Sequence, residues 1–367
     1  MLTKRLLKIQ EALKANGLDW VALLPGTNLF YLTGVGFHST ERTLIGLFSA
    51  EGAAQMVIPT LECTKIRDNA PFEITYHTWD DGEGPEKAFL AAVASMGVGD
   101  ARVGVEALTM RFQEIELFRK HAPEMSLHAA DKALASVRSI KDDAELQLLR
   151  KAIEISETAL AKTLPTVVPG QTEREIANLV KQEILSAGGE PTFVLVQGGE
   201  TTTRPHAEGS DRRVAVGEPL LVDWGGAYGG YTADITRTFV MGSEPDPRLV
   251  EIYELVKAAN LAGRNACGPG VPAQDVDHAT RKVIENGNYG EFFIHRTGHG
   301  LGLDFHEDPY IVHGNAAPLE VGNVFTIEPG IYAPGLGGVR IEDDVVITAD
   351  GVESLTTFDR DLRVVGI

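Results

Sequence analysis

Near the start of the chain, apolar residues recur at steps of three and four: Leu2, Leu6, Ile9 and Leu13. Gly17 stands where a helix would stop, so the spacing predicts an amphipathic helix over residues 3–16. Short apolar runs follow, beginning at Trp20 (WVALLPG), Thr43 (TLIGLFS), Ala53 (AAQMVIP), Phe72 (FEITYHTW) and Ala101 (ARVGVEA), with helical stretches near 85–96 and 109–120. That rhythm predicts an α/β unit, a mixed sheet covered by helices. After about residue 130 the texture changes. SIKDDAELQLLRKAIEISETALAKTL reads as one long helix that opens on acids and ends before Pro165, and QTEREIANLVKQEILSAGG reads as a second with a glycine stop. Beyond residue 190, Gly-punctuated strands dominate. At 367 residues the chain exceeds what one core usually sustains, so two domains are expected, residues 1–135 and 136–367. No short repeat or low-complexity linker separates them.

Charge and composition remove several classes of function. There are 52 acidic against 33 basic side chains, a formal net charge of -19, and no basic run or aromatic-plus-Arg cluster offsets it, so no nucleic-acid partner is expected. Hydrophobic residues at 43% and charged residues at 23% suit an ordinary globular core rather than disorder. No apolar stretch approaches the roughly 18–20 residues of a bilayer span, and charges run through the N-terminal helix, unlike a signal peptide. No membrane contact and a cytoplasmic location are the expectation. Cys63 and Cys267 lie far apart, outside any metal-binding spacing, and are expected to be reduced and structural.

The chemistry gathers in the second half. EPLLVDWGGAYGGYTADITRTFV is two apolar runs around a Gly-rich centre, a hairpin signal. With the turn centred between Tyr228 and Gly229, opposed residue numbers sum to 457, which sets Asp223 directly across from Asp234 with Cβ atoms roughly 4.5–5.5 Å apart. Two carboxylates so placed repel, and a proton or a cation must intervene. NVFTIEPGIYAPGLGGVRIEDDVVIT repeats the arrangement. Centred on Gly335, its opposed numbers sum to 670, pairing Glu328 with Glu342, and Arg340 shares that face. Four converging carboxylates call for two divalent cations. Between the hairpins, HRTGHGLGLDFHE places His295, His299 and His306 within twelve residues, where the whole chain has ten histidines. The flanking glycines allow a close backbone approach, and His299, between Gly298 and Gly300, is the imidazole ligand expected. Competing motifs fail: GHGLG lacks dinucleotide-fingerprint spacing, HEDPY is not HExxH, and there is no P-loop or GxSxG elbow.

The ordered set Asp223, Asp234, His299, Glu328 and Glu342, within VDWGG, YTADITRTF, HRTGHGLGLDFHE, TIEPGIY and VRIEDDV, resembles the metal-binding set of the pita-bread metallopeptidases, family M24. NLFYLTGV at 28–35 resembles the start of the creatinase-like N-terminal domain of prolidases and aminopeptidases P. The resemblance covers nearly the whole chain. It implies a creatinase-like N-terminal domain followed by a pita-bread catalytic domain, in a homodimer. The activity it implies is cleavage of the bond between an N-terminal residue and proline, in dipeptides or short peptides. It also implies two divalent ions per chain. Mn²⁺ suits a carboxylate-rich site with one imidazole, with Co²⁺ or Zn²⁺ as alternatives. Asp223 and Asp234 would hold one ion, Asp234 and Glu342 would bridge, and His299 and Glu328 would complete the other. Glu328 would also shuttle the proton, His206 and His306 would hold the substrate and its tetrahedral intermediate, His295 would lie near the proline, and Arg340 would orient the site. Arg204 and Arg42 are the remaining candidates to meet a peptide carboxylate. Dipeptidase is preferred to aminopeptidase P on chain length. A metal-free peptide-binding relative would normally have lost ligands, and a creatinase-type amidinohydrolase does not use this full set.

Overall fold

The computed structural model describes residues 2–367 except Val98, without the side chains of Leu2 and Thr3. The chain divides into two compact units, Met1–Arg138 and Ser139–Ile367. The first contains α1 (Leu2–Ala15), β1 (Trp20–Leu23), α2 (Thr27–Thr33), β2 (Ile45–Ser49), β3 (Ala54–Pro59), α3 (Thr60–Arg67), β4 (Thr75–Trp79), α4 (Glu86–Met96), β5 (Arg102–Val105), α5 (Phe112–His121), β6 (Ser126–Ala129) and α6 (Asp131–Arg138). Its strands form one mixed sheet in the order β4-β3-β2-β1-β5-β6. Strand β1 is buried along its whole length, as an apolar run between two helical layers must be, and Leu6, Ile9 and Leu13 of α1 are buried on one face. The side chain of Leu2, also expected on that face, lies outside the described residues. The hydrophobic pattern does not mark α2, α3, β6 or α6, which have eight residues or fewer, too few for a period to stand out.

The second unit contains α7 (Asp143–Thr163), α8 (Glu173–Ser186), β7 (Glu190–Gly198), β8 (Pro219–Tyr228), β9 (Tyr231–Thr232), β10 (Ile235–Met241), α9 (Pro247–Ala266), α10 (Ala273–Asn286), β11 (Gly298–Gly300), β12 (Glu307–Ile311), β13 (Val324–Ile327), β14 (Gly330–Ala333), β15 (Gly337–Arg340), β16 (Asp343–Thr348), β17 (Gly351–Ser354) and β18 (Val364–Val365). Both long helices that open it begin on reciprocal capping boxes, Asp142 with Glu145 and Thr172 with Glu175. They pack on the sheet β18-β10-β8-β7, where Trp224 is fully buried and its indole N–H donates to the Ser156 carbonyl (2.8 Å). Helices α9 and α10 precede the second sheet, β12-β11-β13-β16-β17. Phe325, Ile327, Val345 and Ile347 are buried with Ala273 and Val276 of α10, each large side chain contributing about 1.5–3 kcal/mol. Among the described residues, no helix is long and apolar enough to cross a membrane.

The first hairpin corrects the expected register. Tyr228 pairs with Tyr231 and Asp223 with Thr236, so opposed numbers sum to 459. The turn is Gly229–Gly230, both at positive φ, which is the geometry that a tight two-residue hairpin requires. Asp223 and Asp234 are therefore diagonal neighbours, still on one face because the shift is two residues. Asp234 falls in the gap between β9 and β10, where its N–H leaves the ladder and donates to Asp344 Oδ2 (3.2 Å). The second loop keeps its expected register: Gly330 pairs with Arg340 and Ile327 with Asp343, both summing to 670. Glu328 and Glu342 sit between those two ladders.

Candidate active site

The two carboxylate-bearing loops and the histidine strand β11 meet around a cavity of about 620 Å³ lined by His206, Asp223, Asp234, His295, Arg296, His299, His306, Glu328, Arg340 and Glu342, with Phe193, Leu195 and Phe305 as its apolar wall. Of the residues expected from sequence, Arg204 is exposed and absent from that lining. Arg42 belongs to the first unit, where its guanidinium makes two parallel bonds to Asp81 (2.9 Å each).

Backbone proximity positions His299. A Cβ on Gly298 would stand 1.8 Å from the Thr326 carbonyl oxygen, and one on Gly300 would stand 2.2 Å from that of Asp308. Only glycine fits on either side, which brings β11 close to both of its neighbours. His299 Nδ1 faces the Gly300 carbonyl (3.1 Å), which can only accept, so Nδ1 carries the proton and Nε2 keeps its lone pair. That Nε2 lies 3.4 Å from Glu328 Oε1 and 3.7 Å from Asp234 Oδ2. Burial, helped by His306, pushes His299 down to about 3, so the ring is neutral, the form that binds metals. Ligand atoms of Asp234, His299 and Glu342 all lie within 4.8 Å of one another.

The carboxylates are held in different ways. Arg340, buried, donates to Asp223 Oδ2 (2.6 Å), to the Thr236 hydroxyl (3.0 Å) and to the Tyr332 hydroxyl (3.0 Å). Thr236 in turn donates to Glu342 Oε2 (2.6 Å). Tyr332 meets His295 Nε2 (2.8 Å), and His295 Nδ1 donates to the Arg296 carbonyl (2.7 Å). Burial holds Tyr332 protonated, at about 12, and His295 neutral, at about 3, which fixes the direction of that chain of bonds. Sequence reasoning missed Thr236, Tyr332 and Arg296, although each lies inside a quoted motif: Thr236 and Tyr332 have ordinary strand residue types, and Arg296 stands among histidines that carry the stronger signal.

The set fits divalent metal. Asp223 Oδ1 is buried with no hydrogen-bond partner among the described residues. Burial first, then mutual repulsion with Glu342 and Asp223, pushes Asp234 far above the carboxylate range, and Glu342 is raised for the same reasons. Burial and the charge of Asp223 lift Glu328 to about 7 against the opposing charge of Arg340. Carboxyls so crowded cannot all ionise without added positive charge. Oxygen donors with one neutral imidazole are the donor set of a divalent ion of the Mn²⁺ or Zn²⁺ kind.

A carboxylate-and-imidazole pocket beside an apolar wall, on two sheets backed by paired helices, is the site of a metal-dependent enzyme that admits an apolar substrate group. The chain belongs to metallopeptidase family M24: residues 147–349 match that family, and residues 5–140 match the creatinase/prolidase N-terminal domain. It is similar to the probable dipeptidase PepE of Mycobacterium tuberculosis, 36% identical across 99% of this chain and 96% of that protein. It is also similar to the Xaa-Pro dipeptidase of Pyrococcus furiosus, 32% identical across 98% of this chain and 99% of that protein. The solved structure of a dipeptidase from Pyrococcus horikoshii superposes with a TM-score of 0.92 at 38% identity, covering 98% of this chain and 99% of that one.

Proposed function

We propose that this protein is an Xaa-Pro dipeptidase, which hydrolyses the bond between an N-terminal residue and a C-terminal proline. The observation that carries the reading is the convergence of four carboxylates and one neutral imidazole on a cavity that also has an apolar wall. Asp223, Asp234, His299, Glu328 and Glu342 would hold two divalent ions, whose charge balances the four carboxylates, with Mn²⁺ foremost and Co²⁺ or Zn²⁺ as alternatives. Bound there, the ions supply Lewis-acid polarisation of the scissile carbonyl and activation of water at neutral pH. The remaining work falls to the protein. Glu328, which lines the cavity, takes the proton released by the attacking water at its carboxylate and returns it to the proline nitrogen as the bond breaks. His206 and His306, exposed on the cavity wall, hold the substrate and face the developing oxyanion. Arg340 holds Asp223 and Tyr332, and through Tyr332 orients His295 toward the proline.

The reading extends to the whole chain: residues 1–135 form the creatinase-like domain, residues 136–367 the catalytic domain, and the enzyme works as a cytoplasmic homodimer. Chelator-treated protein should lose turnover of Ala-Pro and regain it on addition of Mn²⁺, with about two ions bound per chain by elemental analysis. Full activity in verified metal-free protein would refute the metal assignment. Faster cleavage of Ala-Pro-Ala than of Ala-Pro by the loaded enzyme would make it an aminopeptidase P.

A further inference from the structure

The cavity lining includes two arginines, and they differ in one respect. Arg340 spends its donors on Asp223, Thr236 and Tyr332. Arg296 makes no side-chain hydrogen bond or ion pair with any described residue, and its guanidinium carbon lies over the ring of Tyr310, 4.8 Å from the centroid. Its backbone, by contrast, is pinned. The Arg296 carbonyl accepts from His295 Nδ1 (2.7 Å). The next residue, Thr297, donates through its N–H to the Ile311 carbonyl (3.0 Å) and through its hydroxyl to Asp277 Oδ1 (2.7 Å). A fixed base with an uncommitted cationic head, supported from below by an aromatic face, is organised to receive an anion.

The anion cannot be one of the chain's own carboxylates, since none lies within ion-pairing distance among the described residues, although the protein carries a net charge of -19. A dipeptide whose scissile bond lies over the carboxylate cluster carries its own α-carboxylate only about one residue length, roughly 3.5 Å, beyond that bond. In a carboxylate-rich cavity this second anion needs a cation of its own.

We infer that Arg296 is the specificity-determining residue that receives the α-carboxylate of the C-terminal proline and so favours dipeptides over longer or C-terminally blocked peptides. The inference rests on the Xaa-Pro dipeptidase reading. It assigns the role to Arg296 in preference to Arg204, which stands outside the cavity lining, and Arg42, whose guanidinium is committed to Asp81.

The test compares Ala-Pro with Ala-Pro-amide, which differ only in that carboxylate, on metal-loaded wild-type, Arg296→Gln and Arg296→Lys enzymes. Loss of a charge-assisted bond predicts that Arg296→Gln raises KM for Ala-Pro about 10- to 100-fold while kcat and metal content change little. KM for the amide should stay near wild type, so the selectivity ratio collapses, and Arg296→Lys should recover part of it. Three results would overturn the inference: a ratio that survives Arg296→Gln, equal losses on both substrates, or a ratio erased by Arg204→Gln instead. A wild-type enzyme that cleaves neither substrate would bring down the dipeptidase reading along with it, an outcome distinct from cleavage with an unchanged ratio.

Discussion

Asp343 follows Glu342 in the chain and is fully buried, yet it carries charge. Burial alone would raise its carboxyl, but the charges of Arg237 and Arg360 and their hydrogen bonds outweigh it and hold Asp343 below the usual carboxylate range. Its Oδ1 accepts from Arg237 (2.8 Å) and its Oδ2 from Arg360 (2.7 Å). Arg237 distributes its other donors over the carbonyls of Thr236, Glu342, Phe358 and Asp359, so one guanidinium ties β10 to the backbone of a proposed metal ligand and to the C-terminal segment. Asp343→Asn keeps the shape and removes the charge. Stranding a buried ion costs about 3–5 kcal/mol, and because Arg237 retains four carbonyl acceptors the lower end, about 3 kcal/mol, applies. For a unit of this size, at about 2–4 °C per kcal/mol, Tm should fall by roughly 6–12 °C.

Calorimetry of the metal-loaded protein would measure that fall, and competition with a chromophoric chelator would follow the metal. Loosening the support behind Glu342 should weaken metal binding by about 10-fold. Arg150 and Glu353 provide the control. They pair at 2.7 and 2.8 Å, the same lengths, but both side chains are about half exposed, so Arg150→Ala should cost no more than about 1 kcal/mol. If Asp343→Asn melts within a degree or two of wild type and binds metal equally well, the buried pair does not brace the site.

Two further outcomes follow. Glu173 accepts from Gly198 N (2.9 Å), Ser210 N (2.9 Å), Ser210 Oγ (2.7 Å) and the Thr201 hydroxyl, closing the segment that carries His206; burial raises its carboxyl, but these bonds prevail and hold it low. A depressed carboxyl contributes its stability in full above the unfolded value near about 4.3 and loses it as pH falls through the folded value. Glu173→Gln should therefore cost about 1.5–3 kcal/mol at pH 7 and flatten the acid limb of the urea midpoint against pH, whereas parallel curves would contradict the assignment. His206→Ala and His306→Ala should each lower kcat about 10²- to 10³-fold with metal content retained, and loss of metal in either would move that histidine into the ligand set.

Much of the architecture is legible because it depends on local rules. The acids that open α7 and the glycine stop after α8 mark both helices locally, and the second loop keeps the register expected from a centre at Gly335. The first hairpin slips because a run of glycines offers two turn centres. Gly229–Gly230 takes the turn since both residues must adopt positive φ, and the pattern of apolar positions, which repeats every two residues, cannot distinguish registers two apart. The face survives the error, so both aspartates still line the cavity.

Charged residues are less legible, for a different reason. Sequence supplies the identity of a cation but not its partners, and an arginine's role depends on how many of its five donors are already committed. Arg237 sits in a strand between two threonines and could pass for an ordinary residue, yet it is buried and fully bonded. Arg42 beside an exposed loop looks available, yet Asp81 occupies it. Arg340 shares the metal face, but Asp223, Thr236 and Tyr332 use it up. Arg296, hidden between two histidines that draw the eye, is the one in the cavity lining that remains uncommitted among the described residues. Recognition of a substrate anion needs a donor that folding has placed and not spent, and that property emerges only when the hydrogen bonds of every neighbouring arginine have been traced.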